Sequence, residues 1–258
     1  MDKQHQDLHP LLYPYIKSIE IAHQNSTLPY HVYPSLFPTI GFQINGELAL
    51  LEDDQSKRLK ISGITGLITR PRTFQIISPS TKTILVKFYP WGVPRIFKEA
   101  ANTITNQSIG LDDLVNAQKI INLEERIQIN SCSSSALLAL IQEFFLDLYI
   151  SNDNAIDHSR IMKIALDIAQ NPNGTVAELG MKYGFSQRNL ERQFLMTIGL
   201  SPKKYMLTAR FQQTLKMLLG GASWSSIANN FNFHDQAHFI KEFKAFSGMT
   251  PYNLIKGI

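Results

Sequence analysis

The chain has 258 residues with 25 Lys and Arg, 21 Asp and Glu and 7 His, a formal charge of +4, and its 44% apolar and 18% charged content is that of a folded globular protein, which excludes intrinsic disorder. A single cysteine, Cys132, excludes an internal disulfide and any multi-thiolate zinc site, and its neighbours in NSCSSSALL supply no base or cation to activate it. No run approaches the ~18 uninterrupted apolar residues of a membrane span, and MDKQHQDLHP lacks the apolar core of a secretory signal, so a cytoplasmic protein without membrane contact is expected.

In chain order, residues 28 to 92 are rich in β-branched and aromatic residues punctuated by Pro and Gly. They predict about six to eight short strands, hence a sandwich or barrel, with Asn45-Gly46 as a hairpin turn. After Trp91-Gly92 apolar residues recur at helical spacing. The stretch SALLALIQEFFLDLYI, 135 to 150, is apolar over more than one stripe through Leu137, Leu138, Ile141, Phe144, Phe145 and Leu148. Either the surplus stripe packs a homodimer or both stripes are buried within one subunit. The polar stretch SNDNAIDHS then reads as a linker. The expected organisation is a β-rich domain at 1–115, a helical dimerisation element at 116–150, a linker at 151–159 and an all-helical domain at 160–258. Charge follows the same division. Residues 158 to 258 hold 12 Lys and Arg against 5 Asp and Glu, whereas residues 1 to 157 hold 13 against 16. Such a localised basic surplus suits a polyanionic partner.

The last hundred residues are punctuated for seven helices. Thr175 and Glu178 form a capping-box pattern, and Ser186, Ser201, Ser223, Asp235 and Thr250 are further N-cap candidates. Two segments repeat. Thr175, Leu179, Tyr183 and Phe185 match Ser223, Ile227, Phe231 and Phe233 at an offset of 48; Leu190, Phe194, Gly199 and Pro202 match Phe239, Phe243, Gly248 and Pro251 at 49. Each unit is a capped helix, a tight turn at Gly184 or Asn232, and a second helix, which is the helix-turn-helix pattern. The second helices turn Gln187, Arg188, Glu191 and Arg192, or Gln236, Ala237, His238 and Lys241, away from their buried stripes, and most of these can hydrogen-bond base edges. For Glu191 two roles stay open: acceptance from cytosine N4, or an intrahelical pair with Arg188 or Arg192. A helical pair in an ordinary bundle could show one such unit. Two units joined by PKKYMLTARFQQTLKMLL, 202 to 219, a helix of ~27 Å, suit adjacent grooves on one face of a duplex.

Residues 160 to 256, through YGFSQRNLERQF, ARFQQTLKMLL and FHDQAHFIKEFKAFSGMTPYNL, resemble the DNA-binding domain of the AraC transcription-factor family. The resemblance implies a multi-domain regulator in which a β-rich, cupin-like barrel or sandwich with following helices precedes seven helices containing two helix-turn-helix units. Double-stranded DNA is the implied partner. Base reading is implied for Gln187, Arg188, Glu191, Arg192, Gln236, His238 and Lys241, and backbone contact for Ser186, Lys203, Lys204, Asp235 and Lys244. The family's habit further implies activation, with RNA polymerase as a partner. Gly180, Asn232 and Ala237 depart from the family pattern, and Ala237 is too short to read a base.

The first half carries no catalytic signature. His5, His9, His23 and His31 lack the paired His spacing of a metal-dependent cupin, and no Ser/His/Asp order, P-loop or dinucleotide motif occurs, so no catalytic residue, metal or cofactor is expected. Tyr30, Tyr33, Phe37, Phe42, Phe88 and Trp91 are candidates for an effector pocket, although such aromatics also simply fill cores. The competing function is a small-molecule-binding protein or cupin-like enzyme scaffolded by the helical domain.

Overall fold

The computed structural model describes residues 8–52, 55–78, 80–152, 157–231 and 233–256. His5 and Asn232 lie outside them. The N-terminal half forms strands β1 (Ile16–Gln24), β2 (Tyr30–Val32), β3 (Thr39–Asn45), β4 (Leu48–Glu52), β5 (Gln55–Arg58), β6 (Ser62–Thr65), β7 (Arg72–Ile76), β8 (Thr81–Phe88) and β9 (Ser108–Gly110). They make two antiparallel sheets, one in the order β1-β8-β3-β6-β9 and the other β2-β7-β4-β5. The expected β-rich sandwich is therefore present.

Strand periodicity decides what each face does. On the larger sheet Ile40, Phe42, Ile64, Ile84, Val86 and Phe88 are buried on one face, under the helices α1 (Gly92–Phe97), α2 (Ala117–Ile129) and α3 (Ser134–Ile150). Phe145 of α3 sits edge-on against Phe42 at 6.3 Å and Phe88 at 5.1 Å. Both stripes of α3 contact the core of their own chain. Leu137, Leu138, Leu140, Ile141 and Phe145 are buried, and Phe144, Leu146, Leu148 and Tyr149 pack against the same core. The surplus stripe that suggested a homodimer thus packs in part on its own subunit's core, while Ile150 at the end of α3 is exposed.

The Asn45-Gly46 turn also differs from expectation. Its strands β3 and β4 lie in different sheets, so the turn is a corner between sheets rather than a hairpin. Gly46 has φ +79, and a Cβ there would lie 2.2 Å from Thr81 Oγ1, which explains the glycine.

Between α3 and α4 (Ser159–Gln170), buried Asn152 donates to the Arg95 carbonyl at 2.5 Å, and Arg95 returns a bond to the Asn152 carbonyl at 2.9 Å. Residues 153–156 of the expected linker lie outside the described residues. Then follow α5 (Val176–Tyr183), α6 (Gln187–Ile198), α7 (Pro202–Leu219), α8 (Trp224–Phe231), α9 (Gln236–Ser247) and α10 (Pro251–Lys256), giving with α4 seven helices among the described residues. Two apolar clusters hold them. Ile161, Ile164, Ile168, Leu190, Phe194 and Ile198 form one with Tyr205, Met206 and Ala209 of α7. Phe231, Phe233, Phe239, Phe243 and Phe246 form the other with Phe211 of α7. Burial pushes the Tyr205 phenol far above its ordinary range.

The two halves are packed together. Leu36, Leu67 and Trp91 join the first helical cluster, and Tyr33 packs on the second. Thr105 Oγ1 donates to the Gly199 carbonyl at 2.6 Å, and Gln212 Nε2 on α7 donates to the Pro34 carbonyl at 2.5 Å. Among the described residues no helix is long and apolar enough to cross a membrane, and no group of His, Cys, Asp or Glu gathers to hold a metal ion.

Candidate nucleic-acid interface

The first unit is assembled by local chemistry. Thr175 Oγ1 accepts from the Glu178 amide at 3.2 Å while Glu178 Oε2 accepts from the Thr175 amide at 2.7 Å, so α5 opens with a reciprocal capping box. Gly184 ends it at φ 66, ψ 43, the left-handed conformation that glycine adopts at least cost. Gly180 lets the helices approach, since a Cβ there would lie 3.0 Å from the Phe185 carbonyl oxygen. Ser186 caps α6, its hydroxyl accepting from the Asn189 amide. The second unit follows the same plan: Ser223 Oγ accepts from the Ser226 amide, and Asp235 caps α9 by accepting from the His238 amide at 2.7 Å. The His238 amide bond, first of all, holds the Asp235 carboxyl below the usual carboxylate range.

Each second helix separates its faces as its periodicity requires. Leu190, Phe194 and Ile198, or Phe239, Phe243 and Phe246, are buried. Gln187, Arg188, Glu191 and Arg192 on α6, and Gln236, Ala237, His238 and Lys241 on α9, are exposed. Glu191 pairs with neither arginine: its Oε1 accepts from Gln187 Nε2 at 3.1 Å, one turn back. Arg192 reaches Asn189 Oδ1 at 3.3 Å. Arg188, Gln236, Lys203, Lys241 and Lys244 make no side-chain hydrogen bond or ion pair among the described residues. Lys204 is more committed than the sequence suggests, with Nζ 4.5 Å from the ring centre of Phe246. The spacer α7 is capped by Ser201 and begins with Pro202, and it contributes to both clusters.

Sequence reasoning missed two ionic contacts because each joins side chains on two different helices. Lys182 Nζ lies 2.7 Å from Asp167 Oδ2, and this bond is the largest cause holding the Asp167 carboxyl below its ordinary value. Arg210 of α7 grips Glu242 of α9 with two donors.

A second candidate site lies between the β-sheets, a cavity of about 430 Å³. The strand faces opposite the helical core line most of it. Thr39, Gly41, Gln43, Gly63, Thr83 and Leu85 come from the larger sheet, and Tyr30, Val32, Leu48 and Phe74 from the smaller. Of the six aromatic pocket candidates, Tyr30, Tyr33 and Phe37 line the cavity. Phe42 and Phe88 do not: they sit on the opposite strand face, packed on Phe145. Trp91 does not either, since it is buried between the halves with Nε1 donating to the Pro14 carbonyl at 2.7 Å. Gly41 and Gly63 are register partners, leaving a floor without side chains. Thr83 Oγ1 is buried on this wall with no hydrogen-bond partner among the described residues. Lys57, Arg58, Lys60 and Lys87 also line the cavity, against one acid, Asp113, whose Oδ2 already accepts from the Gly110 amide.

The segment 33–37 has two faces. Tyr33, Ser35 and Phe37 line the cavity, whereas Leu36 packs in the first helical cluster and the Pro34 carbonyl receives Gln212 of α7.

A family profile described as a helix-turn-helix domain matches residues 179–257. The uncharacterized HTH-type transcriptional regulator YidL of Escherichia coli (strain K12) is 27% identical over 174 residues, 66% of this chain; the match spans 58% of YidL's own length. The fold is shared with ToxT of Vibrio cholerae. An unsaturated fatty acid-bound structure of wild-type ToxT from strain SCE256 matches 98% of this chain and 99% of its own, with a TM-score of 0.51 at 12% identity. A second ToxT structure matches 93% of this chain and 97% of its own, with a TM-score of 0.51 at 13% identity.

Proposed function

We propose that the protein is a sequence-specific, DNA-binding regulator of transcription of the AraC type, a reading supported by the helix-turn-helix match over residues 179–257. The observation that carries the reading is the pairing of α6 and α9. Two matched helices turn mostly polar side chains outward, Arg188, Arg192 and Lys241 among them, on either side of a shared spacer whose residues are buried in both units. In this reading Gln187, Arg188, Glu191, Arg192, Gln236, His238 and Lys241 face base edges. Lys203, Lys204 and Lys244, with the amides behind Ser186 and Asp235, meet phosphates. Residues 160–258 are the DNA-binding domain, and the β-rich half with its helices is the regulatory domain. Activation, with RNA polymerase as partner, is the direction the family resemblance implies.

The intersheet cavity is the effector site of this reading, and its walls favour an apolar acid. The lining is largely apolar, Lys57 stands on it outside the ion pairs that Arg58, Lys60 and Lys87 make with Glu47, Asp112 and Glu20, and Thr83 offers a hydroxyl with no partner among the described residues. That ToxT, which shares the fold, has been seen with an unsaturated fatty acid agrees with this class. Occupancy would press on Tyr33, Ser35 and Phe37, and so on the segment that receives Gln212 of the spacer helix.

The test is titration of the full chain with labelled duplex DNA over a range of salt. Log affinity is expected to fall with log salt at about −0.9 per phosphate neutralised, and a selected operator to outcompete random duplex. Absence of duplex binding at low salt would leave the alternative, a small-molecule-binding protein with a helical scaffold.

A further inference from the structure

Arg210 and Glu242 form the most enclosed of the described ion pairs, with side chains 17% and 14% exposed. Arg210 Nε donates to Glu242 Oε1 at 2.8 Å, and a second guanidinium nitrogen donates to Oε2. The guanidinium lies 5.1 Å from the ring centre of Phe233, and Glu242 is set among Phe233, Phe239 and Phe243. His238, one helical turn before Glu242, stands on the same group. Its ring meets Phe233 edge-on at 5.6 Å, and its Nε2 is 3.9 Å from Glu242 Oε2. A carboxylate so placed does not reach a base; it holds what does.

The repeat shows that this is peculiar to the second unit. Arg160 precedes the first unit on α4 as Arg210 precedes the second on α7, and it lies 4.2 Å from Phe185, the counterpart of Phe233. Yet Arg160 donates to the carbonyls of Tyr183 and Gly184, so it locks the turn. The residue matching Glu242 is Gln193, which bonds Asn189 of its own helix at 3.0 Å. One arginine-on-phenylalanine contact thus fixes a turn in the first unit and a recognition helix in the second, and the exchange of Gln193 for Glu242 makes the difference.

We propose that the Arg210–Glu242 pair is a specificity-determining brace: it fixes the rotation of α9 and, with Phe233, the ring of His238, so that the base preference of the second unit depends on it and that of the first does not. The proposal rests on the reading of His238 as a base-contacting residue. Arg210 and Glu242 are positioning residues, since base recognition needs donors aimed within narrow limits whereas phosphate attraction does not.

The experiment is operator selection from a randomised duplex library with the full chain, accompanied by thermal melting. Wild type, His238→Ala, Glu242→Gln and the double variant Arg210→Met/Glu242→Met are compared. The double variant removes both charges at once and so avoids an uncompensated buried ion. Wild type is expected to select two blocks of base pairs. Glu242→Gln and the double variant are expected to keep the first block and flatten the second as His238→Ala does, by roughly 5- to 150-fold at the base pair concerned. A second block that survives in the double variant but is lost in His238→Ala overturns the brace, as does equal erosion of both blocks. A second block unchanged in His238→Ala overturns the base-reading assignment and the brace with it, while a wild type that selects no sequence defeats the proposed function itself. Should Glu242→Gln fail to fold, the double variant decides.

Discussion

Replacing Gly41 by leucine tests whether an effector sits between the sheets. The added Cβ would meet Thr83 Cγ2 at 3.7 Å and Leu85 Cδ2 at 3.9 Å, ordinary contacts, and the rest of the side chain would extend into the cavity of about 430 Å³. Gly41 has no positive φ to be strained, and a side chain in place of glycine inside a strand favours the fold by roughly 0.5–1 kcal/mol. In wild type, an unsaturated fatty acid at 100 times its Kd adds about 2.7 kcal/mol to the folded state. At about 2–4 °C per kcal/mol for a protein of this size, the melting temperature should rise by roughly 5–10 °C. In Gly41→Leu the melting point without ligand should stay level or rise slightly, and the ligand-induced rise should shrink below about 2 °C. Differential scanning fluorimetry across an acid concentration series reads both quantities. An undiminished rise in the variant would place the ligand elsewhere, and no rise in wild type would withdraw the apolar-acid class.

Three further outcomes are expected. Arg192→Ala should cost about 1–3 kcal/mol of operator affinity and relax preference at one base pair; competition against an operator library measures it, and an equal loss on every sequence would make Arg192 a backbone contact. Thr105→Val removes the hydroxyl bonded to the Gly199 carbonyl. It should weaken the docking of the C-terminal end of α6 by about 1 kcal/mol, visible as faster amide exchange there, and unchanged exchange would show that the bond contributes nothing. Asp167 has a folded pKa depressed by Lys182, so its contribution is present above the unfolded carboxylate value of about 3.9 and fades as pH falls through the lower folded value. Asp167→Asn should therefore be destabilising in denaturant titrations at pH 7, with the gap to wild type closing toward pH 3. A gap of equal size at both would refute the linkage.

What the sequence disclosed, and what it withheld, divides along the range of the interactions. Caps at Thr175, Ser186, Ser201 and Asp235 act on amides within three residues, and Gly184 fixes its own φ, so both helix-turn-helix units could be read from neighbouring letters. Phe42 and Phe37 look alike in sequence, yet Phe42 on β3 packs on Phe145 while Phe37, in the segment before β3, lines the cavity, because each placement depends on how the sheets and helices assemble around it. The double stripe of α3 left open whether its partner was another chain or its own. In the fold both stripes meet the core of their own chain, a contact that depends on the assembled sheet and so on residues far away in sequence. Glu191 and Glu242 are both glutamates of second helices, but only the latter turns inward, since Arg210 waits for it on a helix 32 residues earlier.

The burial of α7 in both helical clusters bears on operator architecture. With Tyr205 and Met206 anchored in one cluster and Phe211 in the other, a single rod is part of two cores, and neither unit can swivel without opening its own interior. One base pair inserted between half-sites turns the second around the duplex axis by roughly 35°, given about 10–10.5 base pairs per turn. If both units engage one duplex, a protein built this way has no joint with which to follow that rotation, and it is expected to discriminate against operators of altered spacing through the cost of twisting the duplex.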